Sequence, residues 1–181
     1  MSRPLTYALL LCEPLGVDKQ TLLTCTRKKS AFGLHSCIQV TEELYRSIKR
    51  GRCIEYEKKD DWHAHAYFFA PSKGPKKPEM CTIHVTGFMN DGGQVGLVDI
   101  QGITEEEAAE YETRVFANDD YDHMHDRSWY QSKLSRRILF NGETRGGDVG
   151  ADVYGHQADG MKGVYDALVI DVSDCIFERR K

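Results

Sequence analysis

The sequence predicts a single α+β domain spanning residues 1–181, built as a mainly antiparallel sheet with two to four helices packed on it. Three observations carry that expectation. Short apolar stretches recur between residues 53 and 100 with turn-rich connections, which is the pattern of an antiparallel meander. Two helical segments open on capping residues, Thr41 and Thr104. A chain of 181 residues, with charges of both signs well mixed, is long enough to bury one core and has no signature of disorder.

Taken in order, residues 7–12 read as an opening strand buried on both faces and ended by Pro14 and Gly16. Residues 37–40 read as a second strand. Thr41 then caps a helix to about Arg50, with Glu42 and Glu43 in its first turn, Lys49 and Arg50 in its last, and Gly51 as its stop. Leu44, Tyr45 and Ile48 form its inward stripe. Residues 53–57 read as a strand. Stretches 62–69 and 80–88 pair as a hairpin across the turn-rich 70–79, and 94–100 follows the turn Asn90-Asp91-Gly92-Gly93. Thr104 with Glu107 makes a capping box, stapled by Ile103, for a helix to about Phe116. A further helix spans 128–140, with Tyr130, Leu134 and Ile138 at four-residue spacing and Asn141-Gly142 closing it. Residues 165–177 suit a central strand. Two segments read as loops: 118–126, too acidic for a core element, and 142–163, a mobile loop with seven glycines and Asp148, Asp152, His156 and Asp159.

Composition narrows the classes of function. No apolar run reaches membrane-spanning length, because 7–11 is cut off by Cys12-Glu13-Pro14, and no secretory signal pattern is present, so no membrane partner is expected. Six cysteines lie far apart without a Cys-x-x-Cys pair, which fits reduced thiols in the cytoplasm. The net charge of -4 opposes a surface that grips nucleic acid over its whole extent. Local basic clusters stand at Arg27-Lys28-Lys29, Lys49-Arg50-Gly51-Arg52, 73–77 and Arg136-Arg137, and scattered clusters of that size ordinarily mark a solvated surface.

Chemistry concentrates in the expected hairpin. Along 62–68 the residues Trp62, Ala64, Ala66 and Phe68 share one face, which leaves His63, His65 and Tyr67 on the other. Along 81–86, Cys81, Ile83 and Val85 share a face opposite Thr82, His84 and Thr86. Burying both apolar sets together permits registers of one parity, the tightest of which sets His65 against His84 and His63 against Thr86. His63, His65 and His84 would then form a ligand set for a divalent metal, zinc, magnesium or manganese, with a bound water activated near neutrality. Without metal, one imidazole of the set, with His65 and His84 as the candidates, would take a proton and a second would donate one, a hydroxyl such as Thr86 would orient the phosphate, and the Tyr67 phenol would complete the catalytic patch. Either route suits phosphodiester cleavage in a nucleotide or a single-stranded nucleic acid. The plain structural reading is the wet face of a half-exposed sheet, where His, Thr and Tyr are all at ease.

Two families share parts of this pattern. His63-Ala64-His65 in an apolar strand, with Tyr130-Gln131-Ser132-Lys133 downstream, resembles the His-hydrophobic-His and Tyr-x-x-Lys motifs of the HUH endonucleases. That resemblance implies a metal on His63 and His65, attack on DNA by Tyr130, and assistance from Lys133. His84-Val85-Thr86 is similar to one His-x-Thr motif of the 2H phosphoesterases, which cut phosphodiesters without metal using two such motifs. A clear second copy is absent here, since His35-Ser36-Cys37 puts cysteine where the hydroxyl belongs.

Other groups have simpler expectations. Asp122, His123, His125 and Asp126 carry metal-ligand chemistry on an acidic loop, Cys81 points into the core, and the glycine-rich segment lacks the spacing of a phosphate-binding loop. The competing class is a non-catalytic binding or inhibitor protein that meets a protein partner through its loops and charged surface.

Overall fold

The computed structural model describes residues 4–24, 35–89, 92–112, 135–146 and 149–177. Its described elements are β1 (Thr6–Cys12), α1 (Lys19–Thr24), β2 (Ser36–Thr41), α2 (Glu42–Lys49), β3 (Ile54–Lys58), β4 (Asp61–Phe69), β5 (Ile83–Met89), β6 (Gln94–Asp99), α3 (Glu105–Tyr111), β7 (Ile138–Glu143), β8 (Gly150–Gln157) and β9 (Val164–Val172). The class is α+β. The sheet is mixed, because β2 and β9 pair in parallel while every other described pairing is antiparallel.

Strand β9 holds the sheet together. β8 runs along one of its edges, and β2 and then β4 occupy the other, since Tyr165 meets Val40 and Gln157 while Val172 meets His65 and Ala151. One arm is therefore β3-β4-β9-β8-β5 and the other is β2-β1-β6-β7. The arms curl over a shared core in which Leu9, Leu11, Ile38 and Leu97 of one face Tyr67, Phe69, Val153 and Ile170 of the other. Phe140 on β7 packs edge-on against Tyr67 and Phe69 of β4, at 4.8 and 4.9 Å between ring centres.

Strand alternation explains the remaining layers. On β1, Leu9 and Leu11 enter that core, while Leu10 and Cys12 turn to a second cluster roofed by α1 and α3, so the strand is buried on both faces as its unbroken apolar run predicts. α2 closes the first core with Leu44, Tyr45 and Ile48. Its Thr41 hydroxyl accepts the Leu44 N–H, and Thr104 accepts the Glu107 N–H at the start of α3. The short α1 was not expected. Its signal was Asp18, whose carboxylate accepts the Thr21 N–H as an N-cap.

Several expected elements differ. The 62–69 and 80–88 stretches do form strands, but not a hairpin: β4 pairs with β3 and β9, and β5 pairs with β8. Residues 138–140, assigned by their spacing to the end of a helix, belong to β7, whose apolar side chains gain more by joining the open edge of β6. Within the predicted loop 142–163 lies β8, alternating Ala151, Val153 and Gly155 toward the core with Asp152, Tyr154 and His156 away from it. The strand expected over 165–177 ends at Val172. Positive φ at Ser173 and Asp174 turns the chain back, and the buried Asp171 carboxylate accepts the N–H groups of Ile176 and Phe177. Burial raises the Asp171 carboxyl above its ordinary value despite those donors.

Candidate functional site

The parity read along β4 describes the strand correctly, but both of its faces are covered. Ala66 and Phe68 pack outward against Cys81, Ala167 and Val169, while Tyr67 enters the main core. His65 is 2% exposed and lies opposite Val172 on that inner face. Its Nδ1 is 3.0 Å from the His63 carbonyl and its Nε2 is 2.7 Å from the Glu143 carbonyl, so both ring nitrogens face backbone acceptors. The Tyr67 hydroxyl donates to the same Glu143 carbonyl at 2.7 Å, and burial, followed by nearby Glu55, pushes the phenol up to about 12. His65 and Tyr67 thus fasten β4 to β7. His63 lies at the rim, with Nδ1 3.1 Å from the Arg145 carbonyl and its ring edge-on to the exposed Trp62.

His84 belongs elsewhere. It pairs with Tyr154, which continues across the sheet to Val169 and Phe68, so it stands on the outer face. Three strand-to-strand steps separate β5 from β4, about 14 Å at the usual spacing. The expected meeting of His63, His65 and His84 therefore does not form: His65 stands on the inner face and His84 on the outer one, because both faces of β4 are covered and alternation along a strand fixes neither the covered face nor the strand that lies beside it. Among the described residues, no group of three or more His, Cys, Asp or Glu side chains is arranged to hold a metal ion.

A bulge also divides the His-x-Thr motif. His84 opposes Tyr154 and Thr86 opposes Val153, adjacent β8 residues that point to opposite faces. Accordingly, His84 Nε2 lies 3.0 Å from Asp152 Oδ1, whereas Thr86 exchanges a hydroxyl hydrogen bond of 2.9 Å with Ser36 on β2. A second carboxylate-held imidazole, His156 with Asp166 at 2.6 Å, shares the outer face with His84. Sequence reasoning left both acids and His156 in the supposed loop or strand interior. Tyr130 and Lys133, with Asp122, His123, His125 and Asp126, lie outside the described residues. Cys81 is fully buried, and burial pushes its thiol up to about 12, which leaves it inert as a nucleophile at neutral pH.

The structure brings together two basic clusters that the sequence shows only separately. An open cleft of about 470 Å³ lies between the end of α2 and the segment after β4, walled by Glu43, Arg46, Arg50, Arg52, Ser72 and Lys73. α2 ends in a Schellman turn, with the Arg52 N–H donating to the Ser47 carbonyl and the Gly51 N–H to the Ile48 carbonyl. Gly51 has φ of +83°, the left-handed conformation that carries the chain from Arg50 round to Arg52 on one wall. The buried Ser47 hydroxyl donates to the Ala70 carbonyl at 3.2 Å and fixes the distance to the other wall. There, the Gly74 N–H donates to the Pro71 carbonyl in a tight turn that displays Ser72 and Lys73. Arg46 is paired with Glu42 at 2.6 Å, but Arg50, Arg52 and Lys73 have no side-chain partner among the described residues.

No helix among the described residues is long and apolar enough to cross a membrane. Neither a family model nor a solved structure matches the chain. The sequence is similar to an uncharacterized protein of Acanthamoeba polyphaga mimivirus, 27% identical over 172 residues that cover 91% of this chain and 76% of the viral protein. The likeness therefore extends over most of the chain and is not confined to one motif.

Proposed function

We propose that this protein binds a phosphate-bearing ligand, a nucleotide or a single-stranded nucleic acid, in the cleft beside α2, and that it works as a binding protein through its charged surface. One observation carries the reading: Arg50, Arg52 and Lys73 come from two segments to one concavity, and none of the three is ion-paired among the described residues. Guanidinium forks, an ammonium and the Ser72 hydroxyl are the donors that phosphate oxygens require. Calorimetric titration with a panel of nucleotides and a short oligonucleotide tests it. Binding is expected in at least one case, and the triple variant Arg50→Ala, Arg52→Ala, Lys73→Ala is expected to weaken it roughly tenfold to a hundredfold, with the fold retained. A silent panel, or an unaltered affinity in the triple variant, would refute the reading.

A second reading, phosphodiester cleavage, is favoured by the His84–Asp152 contact. A half-exposed imidazole aligned by a carboxylate has the arrangement of a general base. In this reading the partner strand supplies Asp152, while His65, Tyr67 and Thr86 take no part in proton transfer. Hydrolysis of a nucleotide or oligonucleotide that falls about a hundredfold in His84→Ala, with metal content of the purified protein measured alongside, is the expected result. Equal turnover in His84→Ala and the parent would end this reading.

A further inference from the structure

Resting on the proposal that the cleft takes a phosphate-bearing ligand, we infer that the ligand is a compact polyphosphate, of the nucleoside di- or triphosphate class, and not a nucleic-acid strand. The charge count points to more than one phosphate. Arg50, Arg52 and Lys73 supply three cations without a partner among the described residues, and Glu43 is the single carboxylate among the described residues of the wall. A phosphate monoester carries at most about two negative charges near neutrality and leaves one cation unmatched. A di- or triphosphate matches all three.

The spacing agrees with that count. Arg46 and Arg50 stand one helical turn apart, about 6 Å along α2, with Arg52 beyond the left-handed Gly51 and Lys73 on the facing wall. Donors spread over that length serve consecutive phosphates better than one. Glu43, near the start of α2, repels phosphate oxygens, so it faces the hydroxyl- or amine-bearing remainder of the ligand.

The lining also disfavours a strand. Grooves for single-stranded nucleic acid alternate cations with aromatic faces on which bases stack. Among the described residues no aromatic side chain lines this cleft, and Tyr45, the aromatic of α2, is stacked on Tyr7 at 4.1 Å with Lys49 over its ring. The volume of about 470 Å³ lies within the range of small-ligand sites.

Calorimetric titration of the full chain with orthophosphate, pyrophosphate, tripolyphosphate and an oligothymidylate separates the alternatives. Tripolyphosphate is expected to bind roughly tenfold or more tighter than orthophosphate. Arg50→Gln, Arg52→Gln and Lys73→Gln are each expected to shrink that advantage without altering the circular dichroism spectrum or melting temperature. Equal affinity for orthophosphate and tripolyphosphate overturns this inference and leaves the preceding reading standing, as does an oligothymidylate that binds tighter than tripolyphosphate. Silence from all four probes overturns both.

Discussion

Gly96→Ala is expected to lower the melting temperature more than any other methyl-sized change in the sheet. Gly96 sits in β6 between Cys12 of β1 and Asn141 of β7. A Cβ there would collide with the Pro14 ring and lie 2.5 Å from the Phe140 carbonyl oxygen. Neither neighbour can give way: the carbonyl belongs to the backbone of a paired strand, and the proline ring is fixed where the chain leaves β1. Overpacking against backbone costs about 3 kcal/mol, or roughly 6–12 °C for a domain of this size. A thermal melt of the alanine variant that overlays the parent would show that the β1-β6-β7 layer yields freely and would remove the packing account given for it.

His65→Ala is the second large effect, and it separates two roles for the same imidazole. As a fastening between β4 and β7, the ring sets its two nitrogens against the His63 and Glu143 carbonyls, one of which accepts the N–H of a neutral imidazole, and makes an edge-on contact with Tyr67, 5.4 Å between centres. Truncation leaves a cavity and a carbonyl short of its donor, at a cost of about 2–4 kcal/mol. Urea denaturation is expected to register that loss, while ligand binding at the cleft beside α2 stays unaltered in the folded fraction. If stability held and an activity vanished, His65 would be a reacting group after all, contrary to its placement in the core.

These two residues mark what the sequence discloses and what it withholds. Local signals were legible: the Thr41 and Thr104 caps, the Gly51 stop, the double burial of β1 and the alternation along β4 all follow from side-chain size and donor placement within a few residues. Partner choice was not. His65 and His84, expected on one face, stand on opposite faces with β9 and β8 between them, and nothing in a short apolar strand specifies so distant a neighbour. β8 was hidden by Gly150, Asp152 and Gly155, which lower strand propensity. Gly155 is there because Tyr165 lies over it, a requirement visible only once the strands are paired. The cleft escaped notice for a related reason. Its two basic runs look like ordinary solvated surface until Ser47 and Ala70 draw their segments together.

The position of β9 in the chain has a kinetic consequence. Its partners β2, β4 and β8 are drawn from early, middle and late sequence, and the parallel bridge joins Gln39 and Val40 to Val164 and Tyr165. Long segments must be brought to closure before those contacts return any stabilisation, so folding is slow relative to a helical domain of the same length. A nascent chain that has emerged only through β8 carries three unjoined strand groups, β3-β4, β5-β8 and β2-β1-β6-β7, with apolar faces bare, the interval in which this protein is most exposed to aggregation.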